Sequence, residues 1–151
     1  INASNIASGT IGAAMEGAIH NIKSIAFSQV FNLHNKGLDA FQATKKNLDS
    51  TLDFVLDFDY PNNIVLNINF PDVIHDNLKH RFTRQGKRDV PAHTMEERID
   101  PRGQKYYWIG FKRAEGGIDN GTDLDCIQKG FISITPIGPD RTEYSYLKSK
   151  I

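Results

Sequence analysis

A short polar turn that leads into a helix is the segment of this sequence best suited to hold an anion. Ser8, Gly9 and Thr10 precede helix-favouring residues, and Ser8 or Thr10 can cap the helix through its hydroxyl oxygen. A helix start directs several N–H donors and the positive end of the helix dipole towards one point, which suits a phosphate. The alternative is an ordinary capped helix that binds nothing.

Two asparagines that precede this turn could contribute ligands to a cation. The amide oxygens of Asn2 and Asn5 are hard neutral ligands, suited to Mg²⁺, Mn²⁺ or Ca²⁺ when carboxylates complete the coordination. A turn-forming role is the alternative for both residues. His20 and His34 do not lie at metal-ligand spacing, which favours surface or packing roles.

A short helix predicted for 122–130 carries the only cysteine and two acidic residues. Cys126 lies on its apolar side without a thiolate-activating neighbour, which favours core packing. Asp123 and Asp125 point in different directions on a helix, so capping is favoured over a paired-carboxylate site. Thr122 or Asp123 is the predicted N-cap, and Gly130 is the predicted C-cap.

The composition indicates one soluble globular domain. The 151 residues are 39% hydrophobic and 24% charged, with a formal net charge of +0, which gives no broad attraction to nucleic acid or membrane. A single cysteine allows no internal disulfide and favours a reducing, cytoplasmic compartment. No apolar run of about 18 residues predicts a membrane span, and no signal peptide is visible.

Hydrophobic periodicity predicts the elements that would position these residues. Alternating patterns predict strands over 23–28, 64–70 and 131–137, and amphipathic spacing predicts a helix over 38–58. A terminal helix is predicted to start at 140–142. The order of helices and strands favours an α/β sheet. Asn67 and Asn69 share one strand face and are interpreted as sheet-edge amides, while Gly12 and Gly17 indicate close backbone packing of the first helix.

The region 73–113 is rich in charge and ends in an aromatic run at 106–111, which predicts the returning strand of a hairpin. Acidic residues interleave with the basic ones, and no aromatic residue lies within the basic run. A solvated hairpin is therefore favoured over an RNA-binding surface, whose binding would depend strongly on salt. An aromatic strand on a protruding arm needs a partner surface, so we expect an oligomer.

A series of motifs in fixed order resembles the survival protein SurE family, whose members are metal-dependent phosphatases of nucleoside monophosphates. The motifs are IN at 1–2, Asn5, SGTIGAAMEG at 8–17, KSIAFS at 23–28, LNINFP at 66–71, TRQG at 83–86, YWIG at 107–110, GTD at 121–123 and GFISITP at 130–136. One such motif is weak support, but their shared order along the whole chain is strong support.

The resemblance implies a fold and a division of the chain. The fold is the three-layer, Rossmann-like α/β fold of SurE proteins, here incomplete, with an extended β-hairpin arm. Residues 1–72 would form the C-terminal part of the α/β core, 73–113 the hairpin arm, and 114–151 the return to the core with a terminal helix. In the family the arm exchanges between subunits, which implies a homodimer or homotetramer.

The resemblance also implies a site and a reaction. Asn2 corresponds to the metal-ligand asparagine, for a divalent ion such as Mg²⁺ or Mn²⁺, whereas Asn5, Ser8, Gly9 and Thr10 correspond to residues that bind the phosphate or substrate. The implied activity is hydrolysis of nucleoside 5′- and 3′-monophosphates to nucleoside and phosphate.

The sequence departs from the family pattern in two places. The loop between Asn5 and Ser8 is shorter, and the family's Asp-Asp pair, which supplies metal ligands and the expected acid/base group, has no counterpart among these 151 residues. The family's first strands are also missing, which predicts an exposed sheet edge. The alternative function is therefore a catalytically incomplete oligomerisation module.

Overall fold

A computed structural model describes residues 8–30, 41–87, 94–110 and 118–150. The chain divides into two units, one formed by Ile1–Gly86 together with Asp119–Ile151 and the other by Lys87–Ile118.

The described residues form four helices and six strands. The helices are α1 (Gly9–Ile19), α2 (Gln42–Leu56), α3 (Asp123–Gln128) and α4 (Tyr144–Lys148). The strands are β1 (Ser24–Gln29), β2 (Val65–Phe70), β3 (His80–Phe82), β4 (Thr94–Ile99), β5 (Lys105–Gly110) and β6 (Ile132–Ile137). The three strands predicted from alternation are confirmed as β1, β2 and β6, to within one residue at each end.

Four strands form one sheet in the order β1-β2-β6-β3. β1 runs parallel to β2, β6 runs antiparallel to β2, and β3 runs parallel to β6. Within the described residues β1 is an edge strand, in agreement with the predicted sheet edge. The α/β class is confirmed.

Helices cover both faces of this sheet and give it three layers. On one face, Val55 of α2 packs with Leu66, Ile68 and Phe70 of β2. On the other face, α1 packs on β1 and β2 around Val65. The two cores are separate because successive residues of a strand point to opposite faces.

Asn67 and Asn69 are not sheet-edge amides, so that prediction is wrong. They lie on β2, between β1 and β6, and both are buried. Local alternation identifies the face that a residue occupies, but the position of its strand within the sheet depends on pairings distant in sequence.

The predicted arm boundary at 73 is also corrected. Residues 73–86 belong to the first unit, because β3 pairs with β6 at the edge of the main sheet. A short edge strand tolerates charge, so composition did not distinguish it from the arm. The predicted hairpin is confirmed as β4 paired with β5, within Lys87–Ile118. Its role in oligomer formation stays a prediction.

Two helix ends differ from their predicted positions. α2 ends at Leu56 instead of 58, and residues 31–40 lie outside the described part, so its predicted start is not compared. α4 begins at Tyr144 instead of 140–142, because the Asp140 carboxylate accepts from the Thr142 N–H at 2.9 Å and forms a turn. Hydrogen bonds from the Thr142 and Tyr144 side chains lower the pKa of Asp140 to about 2.

The side chain of Asn47 joins α2 to the segment that precedes β3. Asn47 is fully buried, its Nδ2 donates to the carbonyls of Ala43 (2.9 Å) and His75 (2.8 Å), and its Oδ1 accepts from the Leu78 N–H (2.9 Å). The buried amide therefore satisfies three backbone groups, one of them in its own helix.

Replacing Asn47 with Leu should lower the free energy of unfolding by about 2–3 kcal/mol, because the Leu78 N–H and the His75 carbonyl lose their partner. Urea unfolding followed by circular dichroism measures this change. The exposed substitution Asp49→Asn on the same helix should change stability by less than about 0.5 kcal/mol. Equal effects of the two substitutions would contradict the assigned role of Asn47.

His80 links β3 to α2 by a stack and a hydrogen bond. Its ring lies parallel to Phe54, with centroids 4.4 Å apart, and its Nε2 is 3.0 Å from Thr51 Oγ1. The Thr51 hydroxyl donates to the Asn47 carbonyl at 2.6 Å, so its oxygen accepts from a protonated Nε2. Desolvation lowers the pKa of His80 below its ordinary value of 6.5.

This lowered pKa predicts a loss of stability in mild acid. Below about pH 6.5 the unfolded chain binds the His80 proton before the folded chain does, so stability is full above that pH and falls as the pH drops through the folded pKa. Urea midpoints between about pH 7.5 and 5.5 measure the slope. His80→Gln should reduce this slope. An unaltered slope in His80→Gln would exclude this residue as the cause.

Candidate active site

Ser8 shapes the start of α1. Its backbone is extended (φ −83°, ψ 120°), and its Oγ accepts from the Ile11 N–H at 3.3 Å, which confirms Ser8 as the N-cap. Thr10, the other predicted cap, lies inside the helix. Gly9 and Thr10 are exposed, and their backbone N–H groups have no acceptor within the part of the chain that the structure describes. Two N–H donors without an acceptor among the described residues therefore lie at the positive end of an 11-residue helix.

A tight reversal after α1 places this helix start at a particular edge of the sheet. The Ile22 N–H donates to the Gly17 carbonyl at 2.9 Å, and Asn21 takes a positive φ of 64°, so that β1 runs back against α1. The start of α1 consequently lies at the carboxyl end of β1 and of its parallel neighbour β2. In open α/β sheets, ligands bind at this end of the strands.

Gly17 allows the last turn of α1 to approach β1. A Cβ at this position would collide with the Ser24 hydroxyl, which itself donates to the Ile22 carbonyl at 2.9 Å. The close packing predicted for Gly17 is confirmed. At Gly12 a Cβ would meet no described atom within 4 Å, so the close packing predicted there stays a prediction.

Two of the five predicted site residues cannot be placed. Asn2 and Asn5 lie outside the described residues, so the structure brings together only Ser8, Gly9 and Thr10. Among the described residues, no group of three or more His, Cys, Asp or Glu side chains could hold a metal ion. The described donors do not fit a divalent cation by themselves, since such ions need several oxygen ligands.

A row of buried polar side chains lies beneath the α1 face of the sheet, and the sequence analysis did not identify it as a feature. Buried Asn69 of β2 lies opposite half-buried Ser28 of β1 and buried Ser133 of β6, and two residues earlier in β2 Asn67 lies opposite Thr135 of β6. Asn69 Nδ2 is 3.5 Å from Ser133 Oγ. In the sequence, these polar residues alternate with apolar ones in each strand, which indicates that they share a face. Only the strand pairing shows that they lie side by side.

A cleft of about 520 Å³ separates β3 from α3. The Arg81 guanidinium lies over the Phe131 ring, 4.2 Å from its centroid, and Lys129 is ion-paired to Asp125 at 2.7 Å. Cys126 is buried in its wall, and desolvation raises the pKa of its thiol to about 11. The thiol is therefore protonated at neutral pH, and the predicted packing role of Cys126 is confirmed.

Fold and site together define a three-layer α/β protein in which a capped helix begins at the carboxyl edge of the sheet, with two N–H donors that have no acceptor among the described residues. A family model described as "Survival protein SurE" matches residues 1–92. The chain belongs to the SurE family.

Individual relatives agree with this assignment. The chain is 39% identical over 141 residues to 5′-nucleotidase SurE of Erythrobacter litoralis strain HTCC2594, covering 93% of this chain and 56% of the relative. It is 41% identical over 140 residues to 5′-nucleotidase SurE of Rhodopseudomonas palustris strain BisB18, covering 90% and 54%. The crystal structure of the SurE protein from Aquifex aeolicus superimposes with a TM-score of 0.69 at 34% identity, covering 94% of this chain and 56% of that one.

The chain thus spans about half the length of the curated relatives that it matches. Among the described residues, no helix combines the length and apolar character needed to cross a membrane.

Alanine substitutions should show that the Ser8 and Thr10 hydroxyls contribute differently to stability. Ser8→Ala removes the acceptor of the Ile11 N–H and should lower the free energy of unfolding by about 1 kcal/mol. Thr10→Ala removes a hydroxyl that makes no hydrogen bond among the described residues and should not destabilise. Urea titration of both variants tests this difference. Equal destabilisation would show that Ser8 contributes nothing specific to the start of α1.

Proposed function

We propose that this chain is part of a phosphomonoesterase that hydrolyses nucleoside 5′-monophosphates, and 3′-monophosphates, to nucleoside and phosphate. The observation that carries the proposal is the pair of N–H groups of Gly9 and Thr10, which have no acceptor among the described residues and lie at the carboxyl edge of the sheet. Relatives named 5′-nucleotidase at about 40% identity support the same activity.

In this proposal the turn binds the phosphate group of the substrate. The N–H groups of Gly9 and Thr10 donate to phosphoryl oxygens, and the dipole of α1 adds a favourable field for the negative charge that accumulates during hydrolysis. Ser8 holds the first turn in place through the Ile11 N–H. Asn5, as the resemblance implies, is an additional substrate contact.

A divalent cation such as Mg²⁺ or Mn²⁺ belongs to the proposal, with Asn2 as one ligand. Such an ion activates a bound water and neutralises phosphoryl charge. A neutral amide cannot hold it alone, and the described residues offer no acidic cluster. We therefore propose that the carboxylate ligands come from residues outside this sequence, which correspond to the Asp-Asp segment of the family.

The second candidate function, an oligomerisation module, is favoured by the hairpin. Large side chains on both of its faces are exposed, including Met95 (69%), Tyr107 (56%) and Trp108 (58%). A two-stranded hairpin is marginally stable by itself, so a partner that covers these groups would stabilise it. Contact with a second copy of the chain would make a homodimer or homotetramer, and this role is compatible with the enzymatic one.

Replacing Gly9 with Pro tests the phosphate site by removing one backbone donor. Proline is well accepted at the first position of a helix, and the extended ψ of Ser8 (120°) suits the residue before a proline. In the full-length protein, supplied with Mg²⁺ or Mn²⁺, phosphate release from nucleoside monophosphates should fall by about 100-fold in kcat/KM. Gly9→Ala keeps the donor and meets no atom within 4 Å among the described residues, so it should retain activity.

Different outcomes of this experiment test the proposed phosphate site and the proposed enzymatic activity. Equal activity of Gly9→Pro and Gly9→Ala would exclude the start of α1 as the phosphate site. Absence of phosphate release from every nucleoside monophosphate by the unmodified full-length protein would overturn the enzymatic proposal and leave the oligomerisation module.

A further inference from the structure

Two short segments that are distant in sequence meet where the chain enters and leaves the second unit. Arg84–Gly86 directly precedes that unit, which starts at Lys87, and Asp119–Asp123 directly follows it, after Ile118. Their contacts lie entirely within the first unit. We refer to 84–86 and 119–123 together as the root segments.

Backbone hydrogen bonds join the root segments. The Arg84 N–H donates to the Gly121 carbonyl at 3.2 Å, and the Asp123 N–H donates to the Arg84 carbonyl at 3.0 Å. The Arg84 guanidinium adds a hydrogen bond to the Asn120 carbonyl at 3.2 Å. These contacts form a parallel bridge between Arg84 and Thr122.

A buried carboxylate completes the junction. Asp123 is 3% exposed, and its Oδ1 accepts from the Gly86 N–H at 2.7 Å and from the Leu124 N–H at 2.9 Å. Sequence reasoning offered Asp123 as a helix cap, but Thr122 is the N-cap of α3, through its bond from the Asp125 N–H. The Asp123 carboxylate instead reaches across to the other root segment.

The absence of a side chain at Gly86 allows this carboxylate to approach closely. A Cβ at Gly86 would lie 2.9 Å from Asp123 Oδ1, 3.1 Å from Leu124 Cδ1 and 3.1 Å from Thr122 Cβ. Any larger residue at this position would push the Asp123 carboxylate, the Leu124 side chain or Thr122 out of place. Hydrogen bonds to ionised acceptors are stronger than neutral ones, and a buried carboxylate depends on them.

We propose that Asp123 is a latch that closes the root segments and thereby holds the second unit as a folded hairpin. Fixing both ends of a segment reduces the conformational entropy that it loses on folding. This gain matters here because an isolated two-stranded hairpin is only marginally stable. The closed roots would also preorganise the hairpin for contact with a second copy of the chain. That last step rests on the proposed oligomerisation role, whereas the latch itself does not.

Hydrogen exchange and proteolysis of the full-length protein test the latch. Asp123→Ala should accelerate exchange of the Gly86 amide and of the β4–β5 amides by at least about tenfold, while β2 and β6 stay protected. Trypsin cleavage within 87–118 should accelerate in parallel. Asp123→Asn, whose amide oxygen can still accept from Gly86, should restore part of the protection.

Two further variants control for general effects. Asp125→Asn removes the same charge two residues away, and its amide oxygen can still accept from the Gly121 N–H of the root segments. The Asp125 side chain bonds Gly121 and Lys129 but not Gly86, so exchange in the hairpin should not change. Gly86→Ala should reproduce Asp123→Ala through the steric clash. Unchanged exchange and cleavage in both Asp123→Ala and Gly86→Ala would overturn the latch.

Molar mass from light scattering separates the latch from the oligomer. A smaller assembly in Asp123→Ala, with faster exchange, supports both the latch and the role of the hairpin in the interface. Faster exchange in an assembly of unchanged mass supports the latch and refutes the interface.

Discussion

Burial of β2 on both of its faces is the constraint on which the first unit depends. All six residues of the strand are buried, and the backbone pairs with β1 on one side and β6 on the other. A strand without access to water needs partners for every backbone group and a cover for each face. The parallel neighbour, the antiparallel neighbour, and the helices α1 and α2 meet these needs.

The two faces of β2 differ in chemistry. Leu66, Ile68 and Phe70 give the α2 face an apolar core, whereas Asn67 and Asn69 make the α1 face partly polar. The polar residues lie on the face that α1 covers, and the first N–H groups of α1 lie at the carboxyl end of the same strand. The candidate site therefore lies on the side of the sheet opposite the apolar core around Val55, next to the smaller core around Val65.

The second unit is stabilised differently from the first. Its hairpin leaves large aromatic side chains exposed and depends on its own strand pairing. The segments that precede and follow it in the chain are joined within the first unit through Arg84, Gly86 and Asp123. A segment with a small core of its own gains most from closing its ends. The motifs TRQG at 83–86 and GTD at 121–123, read separately in the sequence, are halves of this one junction.

The sequence by itself determined the local elements and the family. Alternation identified β1, β2 and β6, the hydroxyls before a small-residue helix limited the cap to Ser8 or Thr10, and ordered motifs identified the SurE family. Each of these signals depends on neighbouring residues or on their order. Only the tertiary structure decided which strand is central, that 73–86 joins the sheet, and that Asp123 meets Gly86. These features depend on pairings between residues distant in the chain, which local patterns do not encode.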